Sequence, residues 1–108
     1  MSDFGINEML SMQAALQNKY KEKWKPICPE RGQDQLLWMI GEIGEVIDIV
    51  KKHGGQKACQ DTELRGKLIE EMADVLIYYN DILLCYNISA EELKRSYIDK
   101  FEKNMGRW

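Results

Sequence analysis

Four carboxylates are the residues of this chain whose types and spacing could do chemistry. Glu42 and Glu45 stand three apart within LLWMIGEIGEVIDIVKK (36–52), and Glu71 and Asp74 stand three apart within EEMADVLIYYND (70–81). Residues three apart on a helix are neighbours on one face, so each segment would present two acids in one direction. If the two segments pack side by side, all four acids converge. Two unit charges about 4 Å apart repel by roughly 4 kcal/mol at an effective dielectric of 20, and several such pairs strain a domain of ordinary stability unless a cation reverses the sign. Oxygen-only ligands favour a hard divalent ion, Mg²⁺ or alternatively Mn²⁺, which keeps several waters and shares phosphate oxygens. A di-iron bundle also turns carboxylates inward, but it requires two Glu-x-x-His pairs, and His53 is the only histidine. Either acidic pair alone also reads as a solvated helix face.

Phosphate chemistry needs a grip for the phosphates. The C-terminal KFEKNMGRW carries Lys100, Asn104 and Arg107 at spacings of four and three, with Lys103 beside them. One helix face would then hold two cations and an amide donor, and the planar fork of arginine suits phosphate oxygens. The same residues also read as a basic last turn that favours the helix dipole. Near the N-terminus, Gln13 and Gln17 interrupt an apolar stripe of Ile6, Met9, Leu10, Leu16, Tyr20 and Trp24. An amide that both donates and accepts could read a nucleobase edge, or sit in water at the border of the stripe.

The elements that must position these groups are helices. The first is expected from about Asp3 to Lys25, with Pro26 and Pro29 marking a loop, KPICPERG, after it. Asp34 reads as the N-cap of a second helix with an apolar face of Leu36, Leu37, Ile40, Ile43, Ile47 and Val50, ending at Gly54-Gly55 with His53 in its last turn. Trp38, Glu42, Glu45, Asp48 and Lys52 form a strip beside that face. Gly41 and Gly44 lie inside this helix at a cost of up to about 1 kcal/mol each, which points either to close helix packing or to room for a metal and phosphates. After a polar linker, GGQKACQD, a third helix from Asp61 or Thr62 to about Tyr86 carries Leu64, Leu68, Met72, Val75, Leu76, Tyr79, Ile82, Leu83 and Tyr86 as its core stripe. Its apolar surface extends through Ile77 and Leu84, so it is expected to be buried on more than one side, in a bundle or a subunit interface. Lys67, Glu71, Asp74, Tyr78 and Asp81 make its matching polar strip. Asn87 can close it. Ser89 and Glu92 form a capping box for a fourth helix, with Leu93, Tyr97, Phe101 and Met105 as its buried face and Gly106 as its stop. No alternating strand pattern is present, so the fold class is all-α, a bundle of four to five helices.

At 108 residues with 44% hydrophobic and 31% charged residues, the chain is expected to be one folded domain, 1–108, with little core to spare and much to gain from oligomerising. Cys28, Cys59 and Cys85 are widely spaced and odd in number, which argues for free thiols, with Cys85 in the core. The net charge of −3 argues against a nucleic-acid partner. No membrane span or signal peptide is read, and a cytoplasmic location is expected.

GEIGEV at 41–46, EEMADVLIY at 70–78 and K-x-x-x-N-x-x-R-W at 100–108 together resemble the all-α nucleoside triphosphate pyrophosphohydrolases of the MazG-like group. The resemblance runs from about Gln13 to Trp108 and leans toward the single-domain, dCTP-pyrophosphatase-like branch. It implies hydrolysis of a (deoxy)nucleoside triphosphate to the monophosphate and pyrophosphate, a house-cleaning role in the nucleotide pool, Mg²⁺ held by Glu42, Glu45, Glu71 and Asp74, and a homodimer or homotetramer. It also implies that Tyr78 contacts the nucleotide, that Trp24 stacks near the base, and that Gln13 falls at a substrate position. Lys52 stands at a further position, where that branch can carry an aromatic. Phosphoribosyl-ATP or dUTP hydrolysis on the same architecture is the alternative chemistry, and a non-catalytic helical interaction module is the alternative class.

Overall fold

The computed structural model describes residues 3–107. Five helices follow in order, α1 (Ile6–Lys19), α2 (Pro29–His53), α3 (Gly55–Gln60), α4 (Thr62–Cys85) and α5 (Ala90–Arg107), and there are no strands among the described residues. The long pair α2 and α4 packs together as the spine; α1 and α3 lie against α4, and α5 approaches only α1 among the helices.

Several boundaries differ from those expected, each for a local reason. The first helix stops at Lys19 rather than Lys25, where Tyr20 leaves helical geometry and the chain turns on a bond from Trp24 N–H to the Tyr20 carbonyl (2.9 Å). The rings of Tyr20 and Trp24 stack across that turn with centroids 4.9 Å apart. The second helix begins at Pro29, five residues before the expected Asp34 cap. A proline ends a helix that approaches it but suits the first helical position, where its missing N–H costs nothing, so Pro29 is a start and not a stop. PERG is therefore the first turn of α2, and Asp34 lies inside the helix. The polar linker contains a short helix, α3, whose Ala58 is almost wholly buried.

The ends of α4 follow the sequence closely. Asp61 accepts from Leu64 N–H at 3.0 Å as the N-cap. Asn87 takes a positive φ of 55°, and the N–H groups of Asn87 and Ile88 bond back to the carbonyls of Leu84 and Leu83, the pattern that closes a helix with a left-handed residue. The capping box that opens α5 is complete, with Ser89 N–H on Glu92 Oε1 (3.0 Å) and Glu92 N–H on Ser89 Oγ (3.1 Å). Gly106 does not stop α5, which continues to Arg107.

The core differs more from expectation. Among the described residues, the buried apolar ones are Ala58, Ile82, Leu83, Cys85 and Ala90, while Gln13, Gln17, Gln35, Asn80 and Asp81 are buried as well. The expected face of α2 is open to solvent at Leu37, Ile40 and Ile47, and so is that of α5 at Tyr97, Phe101 and Met105. Within one chain those faces have nothing to pack against, because α5 does not approach α2 or α4. The chain exposes 8569 Å², whereas a compact monomer of its 12.6 kDa exposes roughly 6,200 Å². Its radius of gyration, 16.3 Å, likewise exceeds the ~13 Å of a compact chain of this length. Nothing lies within 4 Å of a Cβ built on Gly41 or Gly44, so close packing inside the chain does not explain these glycines. The three cysteines are free thiols, Cys85 buried as expected, and no helix among the described residues is long and apolar enough to cross a membrane.

One glycine is required by packing. A Cβ on Gly32 would lie 2.5 Å from the Tyr86 ring, where the first turn of α2 meets the end of α4. Gly32→Ala is expected to lower stability by about 1–3 kcal/mol, read as a lower urea midpoint at unchanged slope.

Candidate functional site

Glu42 and Glu45 on α2 meet Glu71 on α4, and one carboxylate oxygen from each lies within 4.8 Å of the others. The two helices bring them together because each places its acids three residues apart on the strip facing its neighbour. Glu42 and Glu71 are half-buried and Glu45 is exposed. Glu71 Oε2 is covered and has no hydrogen-bond partner. Asp74, one turn along α4, lines the same cleft as Glu42 and stands outside this tightest group. Its charge nevertheless acts on both Glu42 and Glu71.

The electrostatics express the crowding. Hydrogen bonding to Glu45 is the main cause that pushes the Glu71 carboxyl up to about 7, followed by desolvation and the charges of Glu45, Asp74 and Glu42. Glu42 is raised chiefly by desolvation, then by the charges of Glu45 and Asp74. Burial raises the Tyr78 phenol, and the surrounding carboxylates raise it further. Converging oxygens, one of them covered and without a donor, fit a hard divalent cation.

Beside the acids runs a cleft of about 680 Å³, lined by Glu42, Asp74, Tyr78 and Asp81 along its acidic side and by Trp24 and Trp38 on its walls. Its floor is a buried polar network. Gln13 Nε2 and Gln17 Nε2 both donate to Asp81 Oδ1, at 2.7 and 2.9 Å. Arg31 Nη1 donates to Gln17 Oε1 at 3.0 Å and to the Lys25 carbonyl. With the amide oxygen of Gln35 turned toward the guanidinium, it accepts from Arg31 Nη2 and Nε, both at 2.9 Å. The two glutamines that interrupt the α1 stripe are thus buried side chains tied to α4 and not solvated border residues.

Of the residues singled out from sequence, Gln13, Trp24, Tyr78, Glu42 and Asp74 line this cleft, and Glu45 and Glu71 adjoin it through Glu42. Lys52 does not. It is exposed in the last turn of α2, roughly 15 Å along the helix axis from Glu42. Lys100, Asn104 and Arg107 lie on α5, which approaches neither carboxylate helix of its own chain. Trp108 lies outside the described residues. Arg31, Asp34 and Gln35 belong to the cleft but are missed by a reading that makes PERG a loop and Asp34 a cap. The available signal was proline's preference for the first helical position, which would have drawn the helix back over Arg31.

The model of the MazG nucleotide pyrophosphohydrolase domain matches residues 31–106. No curated protein and no solved structure matches the chain.

A raised folded-state value for Glu71 has a definite sign. An acid that ionises near 4.5 when unfolded and about 7 when folded binds more protons in the folded state between those values, so stability falls as pH rises through that window. In chelator, the thermal midpoint is expected to be highest near pH 5 and to decline toward pH 8. Glu71→Gln should flatten that decline and exceed the parent midpoint at pH 8. Parallel curves for the two proteins would show that Glu71 is not the strained group.

Proposed function

This chain belongs to the MazG nucleotide pyrophosphohydrolase family, and we propose that it hydrolyses a (deoxy)nucleoside triphosphate to the monophosphate and pyrophosphate with magnesium held by Glu42, Glu45, Glu71 and Asp74. The observation that carries this reading is the carboxylate group itself, three oxygens within 4.8 Å of one another with a fourth acid in the adjoining cleft. Such a cluster is costly without a cation, and its oxygen-only donors suit Mg²⁺, with Mn²⁺ as substitute. When bound, the metal supplies charge for the phosphate oxygens and the leaving pyrophosphate, and acidifies a water.

The residues of the chain divide the remaining work. Water adds across the anhydride between the α- and β-phosphates; a P–O bond forms to the water oxygen as the anhydride P–O bond breaks, and pyrophosphate departs. Glu45, the exposed member of the cluster, takes the proton that the water loses. Tyr78, one turn from Asp74 on the cleft side, orients the sugar and phosphates, and Trp24 and Trp38 supply aromatic surface for the base.

A homo-oligomer completes the site. The excess exposed area matches the scale of obligate interfaces, which bury about 2,000 Å² or more. The open faces of α2, α4 and α5 supply apolar surface for it. Because α5 does not approach the carboxylate helices of its own chain, Lys100, Asn104 and Arg107 grip phosphates only if a second copy brings them to the cleft. Lys52, also outside the cleft, would contact substrate by the same route.

Two measurements test this reading. Pyrophosphate release across a panel of canonical and modified triphosphates, including dUTP and phosphoribosyl-ATP, is expected to require Mg²⁺ and to fall by at least about a hundredfold in Glu71→Gln. Release that survives in the variant would remove Glu71 from the site. Sedimentation of the parent is expected to give a dimer or tetramer of the 12.6 kDa chain, and the double variant Tyr97→Glu, Phe101→Glu should sediment as a smaller species with pyrophosphate release lost. A monomeric parent that is fully active would overturn the shared-site assignment.

A further inference from the structure

Asp81 is 5% exposed and lines the cleft two turns along α4 from Asp74. Both glutamine amides converge on its Oδ1, and no donor among the described residues reaches its Oδ2. A carboxylate offers about four lone-pair sites, so the acceptors of Asp81 that the glutamines leave are open to whatever enters the cleft. Gln13 lines the same cleft, and its Oε1 also has no donor among the described residues.

The donors on this floor are directed inward. Gln13 and Gln17 each commit an N–H to Asp81, Arg31 is spent on Gln17, Gln35 and the Lys25 carbonyl, and Gln17 Oε1 is occupied by Arg31. Besides the second N–H of each glutamine amide, this floor leaves two acceptors to a ligand, Asp81 Oδ2 and Gln13 Oε1. Asp81 lies roughly 10 Å along the α4 axis from Asp74, with Tyr78 between them and Trp24 and Trp38 on the walls. A nucleotide whose phosphates sit at the carboxylate cluster would bring its base to this floor.

We infer that Asp81, oriented by Gln13 and Gln17, reads the edge of the nucleobase and selects bases that carry an exocyclic amino group. This rests on the nucleotide reading of the cleft and adds its specificity. Cytosine, adenine and guanine present an amino group whose N–H bonds can meet Asp81 Oδ2 and Gln13 Oε1. Uracil and thymine offer a single ring N–H flanked by two carbonyl oxygens, whose lone pairs face a carboxylate unfavourably.

The test is calorimetric titration of the full chain, in magnesium buffer, with dCMP, dAMP, dUMP and dTMP. The parent is expected to bind an amino-bearing monophosphate at least about tenfold more tightly than dUMP or dTMP. Asp81→Asn keeps an oxygen for the two glutamines and puts a donor in place of the unpaired oxygen, so the preference should fall by at least about tenfold or invert. Equal affinities in the parent, a preference unchanged in Asp81→Asn, or no binding of any monophosphate would overturn the inference, and the parent comparison stands even if the variant does not fold. Pyrophosphate release separates this from the hydrolase reading. Selective binding without release refutes hydrolysis alone, and release from all triphosphates with equal monophosphate affinities refutes base selection alone.

Discussion

Mutual repulsion of carboxylates sets the terms for the rest of the structure. Glu42, Glu45 and Glu71 are held with oxygens closer than 4.8 Å, and hydrogen bonding to Glu45, desolvation and the neighbouring charges lift Glu71 to about 7. Holding acids in this way requires a rigid pair of helices, and α2 and α4, the two longest, provide it. The capping at both ends of α4 and the close seat of Gly32 on Tyr86 fix that pair at its margins. Strain of this kind is expected where binding energy is to be released on a ligand.

The interior is divided between two kinds of surface. The floor of the cleft is a polar network, with α1 and α4 joined by Gln13, Gln17 and Asp81, and the start of α2 joined to them by Arg31. The outer faces of α2, α4 and α5 are apolar and open. A chain of this size that commits part of its small interior to hydrogen-bonded amides has little apolar core of its own. The same apolar residues that leave a single chain thinly packed are the ones an assembly would bury.

Much of this was legible in the residues. The convergence of Glu42, Glu45 and Glu71, the start of α4 at Asp61 or Thr62 and its close at Asn87, the Ser89 and Glu92 box, and the all-α class follow from spacing and local chemistry, because caps and i, i+3 pairs act over a few residues. The start of α2 did not follow, because Pro29 has two meanings, stop and first turn, and only the path of the chain selects between them. Misplacing that start concealed Arg31, Asp34 and Gln35. Gln13 and Gln17 were visible as interruptions in a stripe, but their partner Asp81 is more than sixty residues away, a pairing that no local pattern encodes. The faces of α2 and α5 were read as buried because periodicity reports what is apolar and not which chain covers it.

The central claim is that these carboxylates form a divalent-cation site. Titration of Mn²⁺ into the protein, followed by the loss of the free-ion electron paramagnetic resonance signal, tests it most directly. Stoichiometric uptake by the parent, competed by Mg²⁺ and abolished in the Glu42→Gln, Glu71→Gln double variant, is the predicted result. Uptake that is unchanged in that folded double variant would contradict the account.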